Sequence, residues 1–340
     1  TPDAQPNIVC VLLESFADPY DVNFLNMSED PIPNFHNLEA NYSTGYLTVP
    51  VVGAGTANTE FEVLTGMSMQ YFGTGEYPYK TILKQTDCES IASALSKIGY
   101  GTHVVHNNTA TFYSRNNAFS MMGFDSFTSK ELMNINSFTP TGSWPTDDVL
   151  VEETIKAMDA TEGQSDFVYT ITVEGHGDYP SERVLENPKI AVTGGADEAS
   201  NNQWEYYVNM LHEVDDFIGD LISAIERRGE DTIVVFFGDH LPTMGLVDSD
   251  MKSGSILKTK YITRSRMQTL PLISFWQRQR TSSAFMREQF FVIIRHRQAL
   301  RLIYPGSTTF NMICSMESAT HIMAKTLILP ASLQWTSRMW

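Results

Sequence analysis

Asp239 and His240 follow Gly238 at the end of the apolar run Thr-Ile-Val-Val-Phe-Phe at 232–237. A continuous β-branched and aromatic run marks a strand buried on both faces of a parallel sheet. In open α/β sheets, ligands sit beyond the carboxyl ends of such strands. A carboxylate and an imidazole presented together there make half of a metal site. The plainer alternative is an Asp that caps a turn beside an incidental His. Three other strand or turn ends carry similar chemistry. The run Asn-Ile-Val-Cys-Val-Leu-Leu at 7–13 ends on Glu14 and Ser15. Gly-Ala-Gly-Thr-Ala-Asn-Thr-Glu at 53–60 leads into a helix-like stretch, with Thr56 at the junction. Small residues let a backbone approach an anion, and a helix start favours negative charge. The run Phe-Val-Tyr-Thr-Ile-Thr-Val at 167–173 ends on Glu174, Gly175, His176, Gly177 and Asp178.

Together these groups suit phosphoryl chemistry. A Thr hydroxyl is a weak nucleophile until a metal lowers its pKa. Glu14 and Asp239 offer hard oxygens and His240 a nitrogen, a mixed set that suits manganese, magnesium or zinc. Arg115 is a natural bidentate partner for phosphate oxygens. His176 could orient a substrate or protonate a leaving group. Each residue also has a bland reading: Thr56 as a helix N-cap, Arg115 as a solvated charge, His176 as a turn residue.

The elements that must position these groups alternate along the chain. After strand 7–13 comes an irregular stretch rich in Pro, Asn and Asp, then a helix after Thr56. Residues 89–98 form an amphipathic helix stopped by Gly99, and 102–106 a short strand that delivers Asn107, Asn108 and then 112–115. Residues 147–160 form a helix before strand 167–173. Val208, Leu211, Val214, Ile218, Leu221, Ile222 and Ile225 recur at helical spacing on a helix of about 25 residues that Gly229 stops. Alternating β and α elements imply an α/β fold: a doubly wound, mostly parallel sheet with helices on both faces.

The chain has 340 residues, 42% of them hydrophobic, with a net charge of −17. That charge excludes nucleic acid as a partner, whose phosphates it repels. No apolar run reaches the roughly 18 residues of a membrane span. Cys10, Cys88 and Cys314 show no metal-ligand spacing and no disulfide framework, and Cys10 falls mid-strand as an inert core thiol.

The residues resemble the extracellular catalytic domain of the lipoteichoic acid synthase family, a phosphoglycerol transferase branch of the sulfatase/alkaline phosphatase superfamily. The motifs are Val-Leu-Leu-Glu-Ser at 11–15, Gly-Thr-Ala-Asn-Thr-Glu-Phe at 55–61, Phe-Tyr-Ser-Arg at 112–115, Val-Glu-Gly-His at 173–176 and Phe-Gly-Asp-His at 237–240. The resemblance implies that Glu14, Thr56, Asp239 and His240 bind one divalent ion, typically manganese, and that Thr56 is the nucleophile. It implies that Phe112, Tyr113, Arg115 and His176 line the phosphoglycerol pocket. Tyr113 stands where the best-known members carry Trp, a difference that bears on fine specificity. The implied activity is transfer of glycerol phosphate from the phosphatidylglycerol head group, through a covalent glycerophospho-threonine, to a growing glycerol-phosphate polymer or a glycolipid acceptor. The implied place is the outer face of the cell membrane or the secreted space. Family members carry N-terminal transmembrane helices ahead of this domain, so residues 1–5 read as a linker remnant and the chain as a fragment. Rival activities are phosphoethanolamine transfer, phosphodiester hydrolysis, or an inactive binding module of the same fold. A Cys-x-Pro-Ser-Arg-like sulfatase signature is absent.

The catalytic domain spans 6–263. Beyond it the charge inverts: 264–340 hold ten Lys/Arg and two acids, +8 against −25 for 1–263. One reading is a basic tail for an acidic polymer or membrane. The other, which we favour here, is a one-nucleotide slip near codon 264. Read one nucleotide earlier, 267–278 and 285–298 can encode peptides of ordinary α/β composition.

Overall fold

A computed structural model describes residues 5–252 and 258–264. The segment assigned to a slipped frame lies outside the described residues beyond Arg264. The strands are β1 (Asn7–Leu13), β2 (Asn26–Met27), β3 (Ser43–Thr48), β4 (Gly101–His106), β5 (Ser126–Ser129), β6 (Asp166–Ile171), β7 (Val192–Thr193), β8 (Thr232–Gly238) and β9 (Lys258–Arg264). The α-helices are α1 (Pro33–Asn41), α2 (Thr56–Thr65), α3 (Ile91–Ser96), α4 (Arg115–Met121), α5 (Val149–Met158) and α6 (Glu198–Arg228).

Seven strands form one sheet in the order β3-β9-β8-β1-β6-β4-β5. The pairings from β8 through β1, β6 and β4 to β5 are all parallel. Only β9 runs against its neighbours, β8 and β3. Every residue of β1, β4, β6 and β8 is buried. Successive strand side chains point to opposite faces, so both faces of the central sheet are covered, as the unbroken apolar runs require. On one side α5 rests on β4 and β6 and meets α6, which in turn packs on α1. Elsewhere α3 packs on β4 and α4 on β5. This is the mostly parallel, doubly wound arrangement expected from the alternating pattern.

Several boundaries differ from the sequence reading. The strand read as 167–173 ends at Ile171: Thr172 N–H still donates to the Leu12 carbonyl at 3.0 Å, but Val173 turns to a side-chain partner. Glu14 N–H donates to Thr172 Oγ1, and Val173 N–H donates to Asp147 Oδ1. The stretch read as irregular after β1 contains α1, with Pro33 at its first turn, and β3. Neither β3, the edge strand, nor β9, paired between it and β8, carries an apolar run. Helix 89–98 shortens to α3, where Ser90 and Ser93 form a reciprocal capping box. Helix 147–160 likewise shortens to α5. The helix of about 25 residues is a 31-residue α6, started by Asp197, whose carboxylate accepts from Ser200 N–H. Cys10 is buried and unpaired in β1, and burial pushes its thiol up to about 12. No helix among the described residues is long and apolar enough to cross a membrane.

The register fixes where the strands end. Leu13 pairs with Gly238, Leu12 with Ile171, and His106 with Ile171. The carboxyl ends of β8, β1, β6 and β4 therefore stop at one level, and the residues that follow share one crevice. Leu12 is fully buried in the central strand. Leu12→Ala should lower unfolding stability by about 2–5 kcal/mol, the usual range for a core leucine truncation. A urea midpoint unchanged by the substitution would contradict this packing.

Candidate active site

Glu14, Asp239 and His240 converge at those strand ends. One ligand atom from each lies within 4.8 Å of the others, and all three residues are buried. Thr56 joins them across the top of β1. Its hydroxyl donates to Glu14 Oε2 at 3.0 Å and sits 3.4 Å from His240 Nε2. Thr56 is not a helix cap. The N-cap of α2 is Gly55, held at φ 101, and Thr56 is the first helical residue. A side chain at position 55 would be strained by that φ and would crowd Val51 Cγ1 at 3.0 Å.

The donor atoms are aimed by their neighbours. Asp239 Oδ1 accepts the backbone N–H groups of Ser15 (2.8 Å) and His240 (2.9 Å). Its Oδ2 has no hydrogen-bond partner, although His240 Nε2 stands 3.1 Å away. His240 Nδ1 faces the Leu241 carbonyl at 2.9 Å. A proton on Nδ1 then leaves the Nε2 lone pair free for a metal. Electrostatics point the same way. Burial, then the adjacent Glu14, push the Asp239 carboxyl up to about 7. Burial pulls His240 down, but Asp239 and Glu14 outweigh it and the net shift is upward. An unpartnered oxygen, two buried acids and a free imidazole nitrogen fit a divalent cation. A second trio, Asp18, His36 and Glu39, does not, because it already encloses a cation. Lys260 Nζ lies 2.5 Å from Asp18 and 3.4 Å from Glu39.

The residues at 112–115 lie beside this centre. Arg115 opens α4 and is 1% exposed, so it is no solvated charge. Its Nη2 donates to Glu60 Oε1 at 2.6 Å and its Nε to the same oxygen at 3.2 Å. The fork expected for phosphate is thus spent on Glu60, and only Nη1 is left without a partner. The guanidinium carbon lies 5.2 Å from the Tyr113 ring centre and 5.7 Å from that of Phe112. Phe112 is 39% exposed, and its ring meets Tyr113 edge-on at 4.6 Å. Ser15, Tyr113 and Ser114 are the non-glycine residues at positive φ among those described, at 53°, 56° and 61°. All three lie at this site, where such strain commonly collects. His176 is half-buried, with Nδ1 2.6 Å from the Gly177 carbonyl and its ring 4.4 Å from that of Trp144.

Sequence reasoning missed four members. His106 ends β4 as Leu13 ends β1, so the same strand-end rule could have found it. It is buried, its Nδ1 is 2.9 Å from the Ile171 carbonyl, and its Nε2 has no partner. Burial, then Arg115, hold it well below the usual histidine range. Glu60 stood inside the Gly-Thr-Ala-Asn-Thr-Glu motif with no sign that it would meet Arg115. Trp144 and Asp147 gave no local signal.

A family model described as Sulfatase matches residues 6–291. The chain belongs to the sulfatase family. The match runs beyond position 263, where the charge inverts. This sulfatase-family chain is 31% identical over 245 residues to a Rhizobium meliloti protein named for cyclic beta-1,2-glucan modification, covering 72% of the chain and 37% of that relative. It spans about two fifths to half of the curated relatives it matches, whose covered shares run from 37% to 54%. Among solved structures, Streptococcus pyogenes phosphoglycerol transferase GacH in complex with sn-glycerol-1-phosphate shares the fold, with a TM-score of 0.65 and 23% identity over 76% of this chain and 68% of that one. The lipoteichoic acid synthase LtaP of Listeria monocytogenes does so at 0.60 and 21%, over 76% and 65%.

Manganese should raise the melting temperature of this protein by binding the folded state alone. Asp239→Asn should need at least the roughly tenfold higher concentration that even an outer-shell loss typically costs a metal site. Equal manganese titrations of the two proteins would remove Asp239 from the ligand set.

Proposed function

We propose that this protein is a metal-dependent phosphoglycerol transferase that takes glycerol phosphate from phosphatidylglycerol through a covalent intermediate on Thr56. The observation that carries the reading is the Thr56 hydroxyl, buried at a helix start and donating to Glu14 beside Asp239 and His240. Glu14, Thr56, Asp239 and His240 would hold the divalent ion, manganese or else magnesium or zinc. When bound, it supplies charge that lowers the pKa of a ligated hydroxyl.

The residues divide the remaining work. Thr56 Oγ1 attacks phosphorus and its proton leaves along the bond to Glu14 Oε2. The bond from phosphorus to the diacylglycerol oxygen breaks, and that oxygen takes up a proton, which we assign to half-buried His176. An acceptor hydroxyl then attacks the same phosphorus and gives its proton to the now neutral His176, while the Oγ1–P bond breaks and Thr56 regains its proton from Glu14. The N-terminus of α2 favours the phosphate's negative charge. Arg115 offers Nη1 to a phosphate oxygen while Glu60 fixes the rest of the fork. His106, kept neutral, presents an Nε2 lone pair that suits a donor such as a glycerol hydroxyl. Phe112 and Tyr113 form the apolar wall.

Phosphoglycerol is supported by the motifs at 55–61 and 112–115 and by the fold shared with GacH and LtaP. The relative named for glucan modification supports a glycan acceptor beside the polymer or glycolipid first expected. A phosphatidylglycerol donor and a glycan or glycolipid acceptor support a site at the outer face of the membrane or in the secreted space.

Thr56→Ala should abolish head-group release from labelled phosphatidylglycerol in manganese while keeping the melting temperature within a few degrees. Enzyme incubated with phosphatidylglycerol but no acceptor should carry a glycerophosphoryl adduct on the peptide bearing Thr56. Near-normal release by Thr56→Ala would end the nucleophile assignment. Arg115→Lys, which keeps the charge for Glu60 but loses the fork, should reduce kcat/KM by roughly 10²-fold, since a charged contact is worth about 1.5–3 kcal/mol. Unchanged kinetics would take Arg115 out of the pocket.

A further inference from the structure

Two buried carboxylates have no part in the chemistry above. Asp147 is 0% exposed and Glu174 is 3% exposed. Asp147 lies just before α5, and Glu174 lies past the end of β6. Each accepts a backbone N–H from the other's residue. Glu174 Oε2 accepts from Asp147 N–H at 2.9 Å, and Asp147 Oδ2 accepts from Glu174 N–H at 3.2 Å. Asp147 Oδ1 also accepts from Val173 N–H at 2.9 Å and from Asn107 Nδ2 at 2.8 Å. One cluster thus ties three separate segments together. Each segment carries a pocket residue close by in sequence: His106 next to Asn107, Trp144 shortly before Asp147, and His176 shortly after Glu174. Trp144 closes the loop by donating from Nε1 to the Gly177 carbonyl at 2.8 Å.

We propose that Asp147 and Glu174 are positioning residues, a buried brace that holds His176, Trp144 and His106 in mutual register. The proposal rests on the reading that these histidines line the substrate pocket. The brace makes a claim about charge. Two ionised carboxylates buried this close together repel each other unless a cation lies between them. The charged groups acting on the pair from neighbouring elements are themselves acidic: Glu213 of α6 and Asp148 on Glu174, and Glu14 on Asp147. His176, His106 and Arg115 stand on the pocket side. Burial, then Asp147, push Glu174 up to about 9, while burial raises Asp147 to about 7 against the hydrogen bonds from Val173, Asn107 and Glu174. The pair therefore keeps a proton at neutral pH. Because Glu174 rises from an ordinary 4.5, its contribution to stability is full below about 4.5 and is lost as pH climbs toward about 9. Above that the two anions repel and the brace opens.

The test compares the full chain with Glu174→Gln and Glu174→Ala, using phosphatidylglycerol vesicles and manganese. Glu174→Ala removes the acceptor for Asp147 N–H and should raise KM about tenfold while kcat changes less than about threefold, the pattern of lost ground-state positioning. Glu174→Gln keeps an accepting oxygen without a titrating proton. It should restore KM and erase the alkaline limb of kcat/KM near pH 9. A limb retained in Glu174→Gln, or an unchanged KM in Glu174→Ala, overturns the proposal. A second measurement needs no turnover. The His176 imidazole Hε1 proton resonance should shift near pH 9 in the unmodified protein and not in Glu174→Gln. The same shift in both would refute the brace even if no head group is ever released, whereas a shift confined to the unmodified protein without any transfer would sink the proposed function and leave the brace standing.

Discussion

Glu14 and Asp239 are like charges held side by side where water is scarce. Glu14 is 4% exposed and Asp239 is 0% exposed. Removing a carboxylate from water costs several kcal/mol, and a second one nearby adds repulsion. The fold accepts this because the β1–β8 register leaves no alternative: Leu13 pairs with Gly238, so the next residue on each strand must share the crevice. The local chemistry then reads as compensation. Backbone N–H groups from Ser15 and His240 hold one oxygen of Asp239, the Thr56 hydroxyl holds one oxygen of Glu14, and the His240 imidazole stands between the two acids. A divalent cation would complete the set, since it answers two negative charges at one point.

The same economy extends outward. Arg115 is the complementary case, a cation buried beside the centre and neutralised by Glu60, with Tyr79 donating to the second oxygen of that acid. This pair joins the start of α4 to α2, the helix that carries Thr56. Its value is in placement rather than net stability, since breaking a buried pair strands the remaining charge. Glycine serves geometry at the next shell. A Cβ at Gly175 would lie 2.5 Å from the Glu14 carbonyl, so only the bare backbone lets the β6 loop pass close to β1 and bring His176 to the pocket. The Asp147–Glu174 contact then fastens that loop from behind.

Strand and helix identity in the centre of the fold was legible because burial on both faces writes a continuous apolar run, as at 7–13 and 232–237. The edge was not. β3, the edge strand, and β9 beside it read as ordinary polar chain, since strands at the sheet's margin need not be apolar throughout and the two pair across more than two hundred residues of sequence. Strand ends were misplaced where a side chain replaced the ladder, as at Val173. Helix α6 was recognised by its 3.6-residue period from Val208 onward, and its first turns were missed because Asp197, not the periodicity, starts it.

The metal-type residues were visible in the sequence for one reason: each directly follows a recognisable element, so its position depends on local pattern alone. Sequence by itself therefore determined the four central parallel strands, the strand-end placement of Glu14, Asp239, His240 and His176, and the helix start at Thr56. Tertiary structure alone decided who pairs with whom. It gave the Arg115 fork to Glu60 and left one nitrogen over. It brought a neutral His106 into the pocket, and it joined Asp147 to Glu174. Those outcomes depend on burial and on distances of a few ångströms between segments far apart in the chain. Charge and hydrogen bonding respond to such distances, and residue type and spacing do not encode them.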